Sequence, residues 1–159
     1  MEEGGVIMSA GKKRNKRYVP KAAKIPGLLQ VQMTSEAHPQ LAMQLYAALI
    51  MLIDMPSVEA CNRLSHQLCC IAGGMSYAIN GKSILGRTDA ASIAIRSAIA
   101  AIEGIINRAE RAKAVHVTDF EAKTLRAAAG KLDDALSNIP LPCYTKAVRE
   151  IEAITGVRA

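Results

Sequence analysis

Apolar residues recur along most of the chain at helical spacing. Ile95, Ile99, Ile102, Ile106 and Ala109 fall at i, i+4, i+7, i+11 and i+14, which is one stripe on a helix. Thr88 is placed to cap that helix, with Asp89 in its first turn facing the positive end of the dipole. Downstream, Thr118-Asp119-Phe120-Glu121 reads as a capping box, in which Thr118 and Glu121 each bond the other's backbone N–H. It opens a helix predicted to reach about Leu136, with Leu125, Leu132 and Leu136 inside. An earlier helix is predicted from Pro39 to Ile53, because proline suits a first helical turn. Pro56 ends it and opens a second helix to Ile79, kinked or broken at Gly73-Gly74 and closed by Asn80-Gly81. A last helix runs from about Cys143 to Gly156, with Ala147, Val148, Ile151 and Ile154 inside, after Pro140 and Pro142 interrupt the pattern. No segment alternates convincingly as a strand.

The expected fold is therefore all-α: a compact four- or five-helix bundle over residues 34–159, one domain, behind an extended basic arm over residues 1–33. The arm lacks helical periodicity and is punctuated by Gly4, Gly5, Gly11, Pro20, Pro26 and Gly27. Composition agrees with this reading. The 159 residues are half hydrophobic, which excludes gross disorder, and they hold one Phe, four Tyr and no Trp, too few aromatics for a typical sandwich or barrel. Leu41 to Ile53 is apolar on nearly every side, so this helix is expected to be central or shared with a second subunit, and a homodimer is expected. The run is shorter than the roughly 20 residues a bilayer requires, and no membrane association is expected.

Charge changes the picture more. The net charge is +6, and Lys12, Lys13, Arg14, Lys16, Arg17, Lys21 and Lys24 lie in one run with no acid among them. From Ile25 onward, 13 basic residues face 12 acidic ones. The basicity thus belongs to the arm, and such an arm seeks an anionic partner. On one reading Arg14 and Arg17 clamp phosphates and Tyr18 stacks on a base. On another the arm lies in an acidic protein groove, and on a third it is a solvated tail. Arg108, Arg111 and Lys113, with His116 nearby, form a second basic cluster at a helix end. It serves as a second contact if the arm binds nucleic acid, although the helix dipole alone favours cations there.

The string Lys12-Lys13-Arg14-Asn15-Lys16-Arg17-Tyr18-Val19-Pro20-Lys21 resembles the N-terminus of small accessory proteins of bacteriophages and prophages. These carry a Lys/Arg run followed by Tyr-x-Pro and then an Ala-rich helical body, which Leu45 to Ile53 and Thr118 to Leu136 match in style. The resemblance implies a protein of the bacterial host cytosol and supplies no catalytic motif.

Other candidate chemistry is thin. His66, Cys69 and Cys70 share a helix face, with Cys61 upstream, but paired Cys-x-x-Cys spacing is absent and adjacent cysteines point about 100° apart. They are read as small buried residues, and neither a metal nor a cofactor is expected. Cys143 after Pro142 stands near a helix start that could lower its pKa, without an oxyanion loop. Gly81-Lys82-Ser83 lacks the earlier glycine of a phosphate loop, since Ser76 stands there. Asp133-Asp134 reads as a solvated face. The expected function is non-enzymatic: binding and modulating a host protein or ribonucleoprotein complex, with the arm as contact element. The alternative is a nucleic-acid-binding or regulatory protein that uses the arm for phosphate contacts. No helix-turn-helix, ribbon or zinc signature accompanies the arm, so any nucleic-acid contact is expected to be nonspecific.

Overall fold

The computed structural model describes residues 37–156. Five helices follow one another: α1 Ala37–Asp54, α2 Val58–Ala78, α3 Ala90–Ala112, α4 Asp119–Leu136 and α5 Leu141–Thr155. Among the described residues there is no strand, and the helices pack as a bundle. The basic run from Lys12 to Lys24, the arm and its boundary with the bundle lie outside the described residues.

Each helix starts for a local reason. Ser57, not Pro56, caps α2, and its Oγ accepts from the N–H of Ala60 at 3.0 Å. The cap of α3 is Asp89 rather than Thr88. Its carboxylate accepts from the Ser92 N–H at 3.2 Å and the Ser92 hydroxyl at 2.9 Å, two bonds that a threonine hydroxyl would not match. The Thr118–Glu121 capping box forms as its spacing implies. Helix α5 begins at Leu141, two residues before Cys143, because Pro142 fits the first turn, where no intrahelical N–H is needed.

The expected break at Gly73-Gly74 does not occur, and α2 stays helical through both. The glycines instead make room. A Cβ on Gly73 would stand 2.8 Å from the Cβ of Ala147, and one on Gly74 would stand 3.2 Å from Ile139 Cγ2. Helix α5 therefore crosses α2 at close range. Gly74 meets Tyr144, whereas His66 shares a groove with Ile151, so the two helices run antiparallel. At the far end of α2 the chain turns through two left-handed residues, Asn80 (φ 63°) and Gly81 (φ 77°), and the Gly81 N–H returns to the Ser76 carbonyl at 2.9 Å.

The core is aliphatic. Leu45, Leu49, Leu64, Leu68, Ala98, Leu125, Ala128, Ala129 and Leu132 pack around a void of only about 10 Å³, whose lining offers a water molecule no polar partner. On α3 the buried positions are Ser92, Ala94, Ile95, Ala98, Ile102 and Ile105, with Ile99 and Ile106 at their edge. By length and composition α3 is apolar enough to cross a membrane, a test that the core helix of a bundle also passes. One expected core residue lies outside: Ile154 is 83% exposed, because the last turn of α5 borders a groove rather than the core.

Candidate functional site

The basic cluster at the end of α3 divides on inspection. Arg108 is engaged inside the fold. Its Nη1 and Nη2 donate to the two Glu121 oxygens at 2.8 and 2.6 Å, and Nη2 also donates to the His116 carbonyl at 2.7 Å. This bidentate pair ties the end of α3 to the capping box of α4. The Arg108 guanidinium, helped by the Thr118 backbone, holds the Glu121 carboxyl below the usual glutamate range. Arg108 is thus a fastener of the α3–α4 hairpin and is not free for a phosphate. Arg111 and Lys113 are exposed, and Lys113 itself takes the left-handed conformation (φ 60°) that ends α3. The remaining sequence-derived candidates, Lys12, Lys13, Arg14, Lys16, Arg17, Tyr18, Lys21 and Lys24, lie outside the described residues.

Other cations of the bundle are also partnered within it. Arg96 Nη1 donates to the carbonyls of Arg87 (2.8 Å), Leu85 (3.0 Å) and Ile84 (3.4 Å), which latches the α2–α3 connection onto α3. Arg87 meets Asp89, and Arg63 meets Glu59 one turn away. The Lys146 ammonium sits 4.4 Å from the centre of the Tyr77 ring, and the Tyr77 hydroxyl donates to Glu150.

Among the described residues, a groove of about 830 Å³ opens between α1, α2 and the last turns of α5. Ala47, Ala48, Met51 and Ile151 supply its apolar surface, and Asn62, Arg63, His66 and Gln67 supply a polar wall. His66 Nδ1 lies 3.9 Å from Cys70 Sγ, and its Nε2 is buried without a partner among the described residues. The thiols there are poor nucleophiles. Cys61 and Cys70 are buried as expected, but Cys69 is exposed; desolvation still raises the pKa of Cys61 and Cys69, and it pushes Cys70 to about 11, helped by the neighbouring Cys69 and Glu152. Cys143 is buried, and desolvation outweighs nearby Lys146, so its pKa rises instead of falling as its helix-start position suggested. Among the described residues no three His, Cys, Asp or Glu side chains converge to hold a metal ion.

Sequence spacing missed one constellation. His38 Nε2 lies 2.9 Å from Asp133 Oδ1, and the Tyr46 hydroxyl donates to Asp133 Oδ2 at 3.3 Å. These contacts pin the start of α1 to α4. His38 and Asp133 are 95 residues apart, so no local pattern carries the signal. Of the pair Asp133-Asp134, read as one solvated face, only Asp134 is exposed. No protein-family model, no curated protein and no solved structure matches this chain.

Proposed function

We propose that the chain is a non-enzymatic accessory protein of the phage type. It binds and modulates a macromolecular complex of a bacterial host cytosol, using its basic arm as the contact element. The observation that carries this reading is the distribution of charge. Seven cations lie between Lys12 and Lys24 without an acid, whereas the remainder from Ile25 onward is nearly neutral. The partnering of Arg63, Arg87, Arg96 and Arg108 within the bundle supports it, since those cations are occupied at home. The raised thiol pKa values support a role without covalent catalysis.

The test is affinity purification of the full chain from host cytosol, with and without nuclease, beside a chain in which Lys12, Lys13, Arg14, Lys16 and Arg17 are alanine. A defined protein complex that survives nuclease and is lost with the alanine variant supports the proposal. Loss of all bound material on digestion favours the nucleic-acid reading. In that case binding weakens steeply with salt, in proportion to the phosphates neutralised. Equal recovery with both chains overturns any contact role for the arm.

A further inference from the structure

Helix α1 buries Ala42, Leu45, Ala48, Leu49 and Leu52 against the bundle. Its opposite face carries Gln40, Met43, Ala47, Ile50 and Asp54, all exposed, at alternating spacings of three and four. That spacing, a repeat of about 3.5 residues, is the one by which paired helices present their seams. Met43 is 69% and Ile50 57% exposed, and no charged side chain interrupts α1 between His38 and Asp54. We propose that this face is where two copies of the chain pair, antiparallel, about a two-fold axis beside Ala47.

The stripe is self-complementary in that arrangement. A two-fold through Ala47 sets Met43 against Ile50 of the second copy, Ile50 against its Met43, and Gln40 against its Asp54. The small Ala47 at the centre lets the two backbones approach. The groove of about 830 Å³ opens along the same helix, with Ala47 in its wall beside Gln44, Ala48 and Met51. Each copy therefore offers an apolar stripe beside a trough whose α1 side is apolar and whose α2 side is polar.

Charge selects the direction. Asp54 ends α1, where its carboxylate opposes the negative end of the helix's own dipole. Helix α1 has no acid in its first turn and no base in its last. Antiparallel pairing places each Asp54 at the positive end of the other copy's α1. Parallel pairing would place the two Asp54 carboxylates together. The chain also carries a net charge of +6, so an uncharged face is where two copies approach at least cost. One helix face and its trough make a small contact beside the roughly 800 Å² per partner of a stable interface, so self-association in the micromolar range is expected.

Equilibrium sedimentation of the nuclease-treated full chain tests this, independently of what the arm grips. The parent should be dimeric at about 100 μM, above the expected dissociation constant. Ala47→Glu brings two like charges face to face and should weaken pairing by at least about 100-fold, with the helical circular dichroism unchanged because Ala47 is exposed. Asp54→Asn should weaken it by about three- to tenfold. In a Cys69→Ser background, Ala47→Cys should cross-link the dimer under mild oxidation. A monomeric parent overturns the proposal, as does a dimer that persists in Ala47→Glu. A dimer that Ala47→Cys fails to cross-link overturns the two-fold at Ala47.

Discussion

Gly73 on α2 lies so near Ala147 on α5 that a Cβ at position 73 would sit 2.8 Å from the alanine's own Cβ. Real side chains do not approach so closely, so one helix must move if a methyl is added. Gly73→Ala should therefore destabilise the bundle by about 1–3 kcal/mol, despite alanine's better helix propensity. Gly130 on α4 has nothing within 4 Å of its would-be Cβ, and Gly130→Ala should stabilise by about 0.5–1 kcal/mol. Thermal unfolding of both variants checks the contrast. Restoration by pairing Gly73→Ala with Ala147→Gly locates the cause at the crossing.

The Arg108–Glu121 pair sets an acid-side dependence. The Glu121 side chain is only 12% exposed, and its carboxyl titrates below the ordinary glutamate value because Arg108 bonds the charged form. A depressed native pKa contributes stability above the unfolded value, about 4.3, and loses it as pH falls through the native value. Glu121→Gln retains a side chain able to complete the capping box but removes the charge. It should cost about 1–2 kcal/mol at pH 7, and the difference from the parent should close below about pH 4. Urea unfolding across pH measures this, and a difference that stays constant would sink the assignment.

Thiol reactivity should follow burial. All four thiols have raised pKa values, but Cys69 is exposed to solvent whereas Cys61, Cys70 and Cys143 are buried, so access separates them. A chromogenic thiol reagent at pH 8 should therefore label one thiol per native chain quickly and the other three only on unfolding. Cys69→Ser should abolish the fast phase.

Arg96 holds three carbonyls of the α2–α3 connection with one nitrogen. Arg96→Met keeps much of the stem and removes the bonds. Amide exchange at residues 82–88 should accelerate, with a stability loss of about 1 kcal/mol, while exchange in α4 remains as in the parent.

The features legible in the sequence are those made within a few residues. The Thr118–Glu121 box spans one turn, and its geometry follows from its spacing. Leu125, Leu132 and Leu136 point inward because a single period governs them. The misread features depend on partners far along the chain. Gly73-Gly74 looks like a break until Ala147, Ile139 and Tyr144 arrive beside it. Arg108 looks like part of a surface cluster until the turn after α3 brings Glu121 back to it. Ile154 has the right register for burial, but α5 has by then left the core for the groove. Charge counting singles out the arm in the sequence, whereas the groove arises from three helices that no local pattern relates.

The crossing of α5 over α2 also bears on the order of synthesis. Helices α3 and α4 are neighbours in the chain and pack extensively on each other, so their contacts close short loops. Helix α2 waits for α5, whose side chains follow the whole α3–α4 hairpin. A chain growing on the ribosome can complete that hairpin while the small-residue face of α2 has nothing to lie against. Only when Tyr144 and Ala147 have left the exit tunnel can that face be covered, so the α2–α5 crossing closes after the α3–α4 hairpin.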